Sequence, residues 1–277
     1  MSIKIQKFNL QNNSYIRFKK YGKGQPILLL HTFRNRLEYC ENVANLLKNN
    51  YSVYIIDLPG FGDSSINVDT QYTQEFFTDS IIYFIEKKKL KDLIIAGESI
   101  GGVLPISISL KIPRKIEKIF SFNPYDYDEF FGDGISRGNF FARFIMFHCG
   151  LPLVGKFFIG LENKFILRNI MNGGFTNSKN LTDEFLNLLI KANKKPGYIY
   201  HFRNVLSNFK SWSNTKNFYN KLKVPIKLVY GEDDWANKAN RYSTMNKLNL
   251  NTYLTINDCG HFSFLEKPKE VANIILR

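Results

Sequence analysis

Strand-like and helix-like segments alternate along the first half of the chain, and this alternation limits the fold more than any other feature. Residues 26–31 read PILLLH, an unbroken apolar run that is typical of a strand buried on both faces. Residues 51–57 repeat this pattern after a stretch at 37–49 in which apolar residues recur at helical spacing. Strands separated by helices form parallel sheets covered by those helices. We therefore predict an α/β fold with a mainly parallel central sheet and helices on both faces.

The same alternation continues to the last residues but stops in the middle of the chain. Further strands are predicted at 93–96, 116–122, 226–230 and 252–256. Further helices are predicted at 73–89, 101–111, 237–247 and 268–276. Before them, residues 3–10 and 14–19 are predicted to form a hairpin around Asn12 and Asn13. Short helical pieces at 139–147, 153–167 and 182–191 are separated by glycine and proline. We predict a core domain of residues 1–124 and 215–277 with a helical cap inserted at 125–214.

Charge and composition exclude several classes of protein. Lysine and arginine number 38 against 24 acidic residues, a net charge of +14, but the lysines are scattered, so a compositional bias is favoured over nucleic-acid binding. The sequence has no run of 18 apolar residues that would predict a membrane span, and its first residues lack the apolar region of a secretory signal. The three cysteines are far apart, which predicts neither disulfides nor a metal site and favours a cytoplasmic protein.

The segment GESIGG at 97–102 carries the strongest signal for chemistry. It directly follows a predicted strand and begins a helical stretch, which is the context of a nucleophile elbow. In such a turn Ser99 adopts a strained backbone conformation that exposes its hydroxyl at the carboxyl edge of the sheet. The Ile100 N–H then points towards a developing oxyanion at the helix N-terminus. We predict that Ser99 is a nucleophile, that Ile100 is an oxyanion donor and that Glu98 shapes the site.

A nucleophilic serine needs a base, and the base needs an acid that orients it. Two of the four histidines lie in the predicted insertion and His31 precedes the nucleophile, whereas His261 directly follows the last predicted strand. The segment YGEDDW places Asp233 and Asp234 after the preceding strand. The order Ser, Asp, His along the chain is the one expected when a nucleophile elbow lies in a mainly parallel α/β sheet. We therefore predict a triad of Ser99, His261 and one of these two aspartates.

Other residues at strand ends are expected to shape the site. His31, Thr32 and Phe33 follow the strand at 26–31, and we assign a second oxyanion donor to the Phe33 N–H. His31 is expected to orient this loop by hydrogen bonds rather than to act as a base. The segment DLPGFGDS predicts a rigid, glycine-rich turn at the rim, in which Asp57 has a structural role. Trp235, next to the acidic pair, is also expected to shape the site.

The motifs LLLHTF, DLPGFGDS, GESIGG, YGEDDW and DCGHFSFLEKP together resemble those of the α/β-hydrolase fold superfamily over nearly the whole chain. The resemblance implies a serine hydrolase with a helical cap between the sixth and seventh main strands. It places the acid three residues after Gly231, which favours Asp234 over Asp233, with Asp126 as the alternative found in some relatives. Haloalkane dehalogenases and related epoxide hydrolases of the superfamily carry aspartate at the elbow, where this chain has Ser99.

One position departs from the superfamily pattern, because Thr32 stands where relatives normally have glycine after the histidine. A β-branched residue resists positive φ but suits extended backbone. The loop is expected to stay extended and aim the Phe33 N–H at the site; the alternative is a rotated loop that leaves Ile100 as the remaining donor. Arg34 and Arg36 follow directly and place cations near the mouth of the pocket.

The stretch 139–167 combines many phenylalanines and aliphatic residues with four cations, Arg143, Lys156, Lys164 and, just beyond it, Arg168. We expect its apolar residues mainly to pack the cap onto the core. The alternatives are an apolar acyl pocket and peripheral contact with an anionic membrane.

The predicted protein is a serine hydrolase that needs no cofactor or metal and cleaves a carboxylic ester, or a related acyl bond, of a small apolar substrate. Two alternatives stay open: a carbon–carbon bond hydrolase of the same fold, acting on an acidic vinylogous diketone near arginines, and a ligand-binding member with little turnover. We expect no nucleic-acid partner and either a monomer or a homodimer.

Overall fold

Eight strands form a single sheet in the computed structural model, which describes residues 4–11 and 13–277. The strands are β1 (Gln6–Asn9), β2 (Tyr15–Tyr21), β3 (Pro26–Leu30), β4 (Ser52–Ile56), β5 (Leu93–Glu98), β6 (Ile116–Phe122), β7 (Ile226–Gly231) and β8 (Leu254–Ile256). Their order across the sheet is β1-β2-β4-β3-β5-β6-β7-β8. The pairs β1–β2 and β2–β4 are antiparallel and the other neighbours are parallel, so the predicted α/β fold with a mainly parallel sheet is confirmed.

The initial hairpin is formed by β1 and β2, with Gln6 opposite Phe18. Ile3 and Asn12, which the predicted hairpin included, lie outside the described residues.

The α-helices surround the sheet. They are α1 (Glu41–Leu47), α2 (Gln74–Lys87), α3 (Ile100–Lys111), α4 (Asp133–Ser136), α5 (Phe140–Gly150), α6 (Gly155–Gly160), α7 (Lys164–Asn172), α8 (Asp183–Asn193), α9 (Tyr198–Ser207), α10 (Phe209–Asn214), α11 (Lys238–Lys247), α12 (Ser263–Glu266) and α13 (Pro268–Leu276). Short 3₁₀ helices lie at Leu37–Cys40, Pro113–Lys115, Ser178–Asn180 and Thr215–Lys221. Helices α4 to α10 all lie between β6 and β7, within residues 125–214. None of the helices in the described residues is long and apolar enough to cross a membrane.

Capping side chains explain one difference from the predicted helices. The piece predicted at 153–167 is two helices, α6 and α7, because the Asn163 side chain accepts a hydrogen bond from the Ile166 N–H at 3.1 Å and starts a new helix there.

The central strands β3, β4 and β5 place the site at one edge of the sheet. Nearly all their side chains are buried, which explains their continuous apolar sequences. Leu30, near the end of β3, pairs with Ile56 on one side and with Gly97 on the other. Because these strands are parallel, the loops that follow them gather at the same carboxyl edge.

Candidate active site

Ser99 occupies a sharp turn between β5 and α3, with φ 63° and ψ −122°. A residue other than glycine is strained in this region, and the surrounding structure must hold it there. The Ser99 N–H donates to the Phe122 carbonyl of β6 at 3.0 Å. A Cβ on Gly97 would lie 1.8 Å from the Gly101 carbonyl oxygen, and one on Gly101 would lie 2.5 Å from that of His31. Glycine at both positions therefore lets the strand, the helix and the neighbouring loop approach closely.

The Ser99 hydroxyl, the His261 ring and the Asp234 carboxylate form a continuous chain of contacts. Ser99 Oγ lies 2.9 Å from His261 Nε2, and His261 Nδ1 contacts Asp234 Oδ1 directly. The second carboxylate oxygen accepts from the Ala236 N–H at 3.0 Å, which fixes its orientation. With the Nδ1 proton donated to the carboxylate, Nε2 is free to accept the hydroxyl proton of Ser99.

The other two candidate acids lie elsewhere. Asp233 is exposed and accepts a hydrogen bond from the Thr176 hydroxyl at 2.8 Å. Asp126 is buried and forms an ion pair with Lys216 at 3.1 Å. The structure thus brings Asp234, and neither of the other two aspartates, to the imidazole ring.

Trp235 packs flat against the imidazole of His261, with ring centroids 4.0 Å apart and an interplanar angle of 15°. Its indole N–H donates to the Gly173 carbonyl in the insertion at 2.9 Å. A Cβ on Gly174 would lie 2.8 Å from the indole ring, so this contact requires a glycine there. Gly173 and Gly174 of the insertion therefore hold the indole ring of Trp235 against the imidazole ring of His261.

Glu98, adjacent to Ser99, is fully buried and accepts hydrogen bonds from several parts of the chain. Its donors are the Asn123 side chain at 3.0 Å, the Ser263 N–H at 2.8 Å, the Phe264 N–H at 3.3 Å, and the hydroxyls of Tyr39 and Ser263. Burial raises the pKa of Glu98 to about 7, against the effect of the hydrogen bonds from Ser263 and Tyr39. Glu98 thereby ties the segment after His261 to the strand that carries Ser99.

Asn123 is a site residue that the sequence reasoning did not identify. Its side chain donates to Glu98 and to the His261 carbonyl at 3.1 Å, and it accepts from the Gly231 N–H at 2.7 Å. It therefore links three of the loops at the sheet edge. The signal that points to it is its position, because it is the polar residue that directly follows β6.

His31 is fully buried in the loop after β3. Its Nε2 accepts from the Leu58 N–H at 2.9 Å, and its Nδ1 lies 2.7 Å from the Thr32 carbonyl oxygen, to which it donates. Burial lowers the pKa of His31 to about 4, so the ring is neutral at pH 7. These contacts hold the loop against the neighbouring strand end and leave no role for His31 as the base.

The two residues expected to supply the oxyanion donors both line the cavity beside Ser99. Ile100 is the first residue of α3, and Phe33 lies in the loop after β3. Within the described residues, neither N–H donates to another protein atom. The left-handed residue of the loop is Arg34, with φ 58°, so Thr32 is spared the positive φ that a β-branched residue resists.

The cavity beside Ser99 has a mostly apolar lining. From the core it is lined by Thr32, Phe33, Arg34, Asn35, Ser99, Ile100, Trp235 and Phe262. From residues 125–214 it is lined by Tyr125, Asp128, Ile135, Leu167, Ile170, Met171, Val205, Leu206, Phe209 and Trp212. The insertion therefore supplies more than half of the lining, as expected of a site for an apolar molecule.

Several phenylalanines of the insertion are exposed instead of packed. The expectation that the apolar residues at 139–167 pack the cap onto the core is wrong for Phe140, Phe144, Phe147 and Phe157. Each lies on a short helix that buries other residues against the protein, namely Ala142, Met146 and Cys149 of α5 and Gly155 and Ile159 of α6.

The expected cations at the pocket mouth are neutralised within the protein. Arg34 lines the cavity, but its guanidinium forms a nearly buried ion pair with Glu162 of the insertion and lies 5.1 Å over the Phe202 ring. Arg36 is buried and pairs with Asp63 at 2.8 Å. Both arginines therefore tie the loop after β3 to its surroundings.

The described residues include no group of three or more His, Cys, Asp or Glu side chains that could hold a metal ion. Cys40, Cys149 and Cys259 are buried free thiols, and burial raises the pKa of each.

A family model described as "alpha/beta hydrolase fold" matches residues 25–149. Bifunctional epoxide hydrolase 2 of Mus musculus is 24% identical over 296 residues, which cover 95% of this chain and 53% of that protein. The chain thus spans about half the length of the first curated relatives that it matches. The pimeloyl-[acyl-carrier protein] methyl ester esterase of Wigglesworthia glossinidia brevipalpis is 24% identical over 245 residues, covering 84% of this chain and 85% of the relative.

Among solved structures, the epoxide hydrolase CorEH without ligand superimposes with a TM-score of 0.81 and 19% identity, covering 99% of this chain and 98% of that one. The sheet order, the elbow after β5 and these matches define an α/β-hydrolase fold. Residues 25–149, a little under half of the chain, also match the model of the family with this fold.

Proposed function

We propose that the protein is a cofactor-independent serine hydrolase that cleaves a carboxylic ester, or a related acyl bond, of a small apolar substrate. The observation that carries the proposal is the contact chain from Ser99 Oγ to His261 Nε2 at 2.9 Å, and from His261 Nδ1 to Asp234, beside an apolar cavity. Residues 1–124 and 215–277 form the catalytic core, and residues 125–214 act as the cap over it.

The proposed reaction begins when Ser99 Oγ attacks the carbonyl carbon while His261 Nε2 takes the hydroxyl proton. Asp234 keeps the Nδ1 proton in place and stabilises the imidazolium that forms. The N–H groups of Ile100 and Phe33 donate to the oxyanion, helped by the N-terminus of α3. His261 then protonates the leaving alcohol, and a water that His261 deprotonates releases the acid and restores Ser99.

The nucleophile selects acyl substrates over the epoxides named for some relatives. Opening an epoxide with a serine hydroxyl would leave an alkyl ether, which offers no carbonyl carbon for water to attack. An acyl substrate leaves a serine ester, which water can hydrolyse. A hydroxyl nucleophile with an adjacent base therefore supports acyl transfer.

The pairing of the arginines favours the ester over the carbon–carbon bond alternative. That alternative needs a free cation to bind the carboxylate of an acidic diketone, but Arg34 is paired with Glu162 and Arg36 with Asp63. The titratable acid that lines the cavity, Asp128, would repel such a substrate when ionised, and burial raises its pKa to about 7.

Labelling with a fluorophosphonate and hydrolysis of nitrophenyl esters of increasing chain length test the proposal. We expect the wild type to be labelled at Ser99 and to hydrolyse at least one ester, and Ser99→Ala to lose both, with turnover reduced by roughly 10³-fold or more. Retained turnover in purified Ser99→Ala would contradict the nucleophile. Labelling without turnover of any ester would contradict the enzyme and favour a ligand-binding protein.

A further inference from the structure

Five phenylalanines and one leucine of the insertion are exposed together on neighbouring short helices. Phe140, Phe144 and Phe147 lie on α5, Phe157 on α6 and Phe165 on α7, and Leu153 lies in the turn between α5 and α6. Phe140 is 85% exposed and Leu153 is 94% exposed. These six residues are called the aromatic patch.

Ring contacts connect the helices that carry the aromatic patch. The His148 ring of α5 packs against both helices, with its centroid 4.3 Å from that of Phe144 in α5 and 4.5 Å from that of Phe158 in α6. Phe158 in turn contacts Phe157, with centroids 6.0 Å apart. Since one ring offers about 150–250 Å², the exposed rings leave on the order of 600 Å² of apolar surface. That is at the upper end of what a monomer usually exposes, so the patch calls for a partner.

The charges around the aromatic patch are mostly positive. Arg143 on α5 and Lys156 on α6 are exposed and form no ion pair within the described residues. Lys164 and Arg168 on α7 share one exposed carboxylate, Asp183. Four cations, two of them sharing Asp183, lie among aromatic rings and are complementary to an anionic lipid surface.

The same helices reach the cavity from the other side. Phe165 of α7 is exposed in the patch, whereas Leu167 and Ile170 of that helix line the cavity beside Ser99. Between α6 and α7, the Glu162 side chain is buried against Arg34 in the loop that follows β3. The patch is therefore one face of a thin layer whose opposite face forms the wall of the site.

We propose that the aromatic patch docks on the surface of an anionic phospholipid bilayer, with its rings in the interfacial region and its cations near the headgroups. The second part of the inference rests on the proposed function: the substrate is then an ester or related acyl compound carried by the membrane, which reaches Ser99 past α7. Docking itself does not depend on catalysis.

Flotation with lipid vesicles tests docking without any reaction, because it uses Ser99→Ala. We expect this protein to float with vesicles of phosphatidylcholine and phosphatidylglycerol and far less with phosphatidylcholine alone. Arg143→Gln with Lys156→Gln removes two cations and should weaken partitioning by about 30-fold, at about 1 kcal/mol per cation. Phe147→Ser with Phe157→Ser should weaken it by about tenfold or more.

A matched control removes an exposed ring and a cation outside the insertion. Phe218 is exposed and lies 5.3 Å from the Lys221 ammonium. Phe218→Ser with Lys221→Gln should leave flotation unchanged. Circular dichroism and thermal unfolding of each variant exclude loss of the fold as the cause of weaker binding.

Three results would overturn the proposal: no flotation with the mixed vesicles, equal flotation of the patch and control variants, or sedimentation data in which the patch variants only dissociate a dimer. Failure of the proposed function gives a different pattern, in which fluorophosphonate labelling fails in the wild type while vesicle binding by Ser99→Ala persists. If both hold, the Phe147→Ser and Phe157→Ser protein should lose turnover of a vesicle-borne ester and keep turnover of a water-soluble one.

Discussion

The backbone of Ser99 stores strain that substitution can release. With φ 63° and ψ −122°, the residue lies where side chains other than hydrogen collide with the backbone. Its side chain makes no capping hydrogen bond to α3, so the strain is not offset by capping. Ser99→Ala and Ser99→Gly both remove the hydroxyl and its contact with His261, and they differ only in the Cβ atom. The stability difference between these two variants therefore measures the backbone strain.

The expected difference follows from two opposing effects. A residue with a Cβ in this region costs on the order of 1–3 kcal/mol. Glycine loses about 0.5–1 kcal/mol more backbone entropy on folding than alanine does. The free energy of unfolding of Ser99→Gly should thus exceed that of Ser99→Ala by about 1–2 kcal/mol. For a chain of this size the corresponding rise in Tm is about 2–8 °C.

Urea unfolding of the two variants at one temperature measures this difference directly. Ser107, on the same helix but with regular backbone, supplies the control. There the sign should reverse, with Ser107→Gly less stable than Ser107→Ala by about 1 kcal/mol. If Ser99→Ala proves as stable as Ser99→Gly while the Ser107 pair behaves as expected, the strain assigned to the elbow is refuted.

Three further predictions follow from the site and the core. Asp234→Asn should lower kcat by roughly 10⁴-fold through the wrong imidazole tautomer, whereas Asp233→Asn should leave it nearly unchanged; equal losses in an ester assay would contradict the assignment. Thr32→Gly should bring no gain in turnover, because the backbone of Thr32 has no positive φ that glycine would relieve. The same change should lower the free energy of unfolding by up to about 1 kcal/mol. A sharp rise in kcat would instead show that Thr32 misaligns the loop. Burial lowers the pKa of His201 from 6.5 to about 3, so the unfolded chain takes up a proton first and stability falls as the pH drops below about 6.5. When the pH falls from about 7 to about 5, the free energy of unfolding should drop by about 2 kcal/mol less in His201→Gln than in the wild type, as measured by urea unfolding. If the two proteins lose the same stability over this range, the prediction is wrong.

The residues of the contact chain could be anticipated from the sequence because their positions are tied to strand ends. A strand buried on both faces reads as an apolar run, so its last residue can be located within one or two positions. Ser99 and Asp234 each follow such a run, whereas His261 follows the short strand β8, in which only Ile256 is buried. Parallel strands bring the carboxyl ends of all three to one edge. Local sequence and the geometry of parallel sheets were therefore enough to bring Ser99 and His261 together with the Asp233–Asp234 pair, but not to choose between the two aspartates.

The choice among three aspartates shows how far that reasoning extends. All three lie near strand ends, so local pattern alone does not separate them. In the structure Asp126 is held by Lys216, and Asp233 points to the Thr176 hydroxyl. The superfamily spacing favoured Asp234, but contacts made across the fold account for the roles of the others.

What the sequence by itself determined is the alternation of strands and helices, the elbow around Ser99 and the position of the insertion, because each depends on neighbours along the chain. Only the tertiary structure decided which side chains meet over long separations, such as Tyr39 with Glu98 and Arg34 with Glu162. It also decided that Phe140, Phe144 and Phe147 of α5 and Phe157 of α6 face outward. An apolar residue on a short helix has no periodic signal strong enough to say which face is covered, so its burial depends on what the rest of the fold places against it.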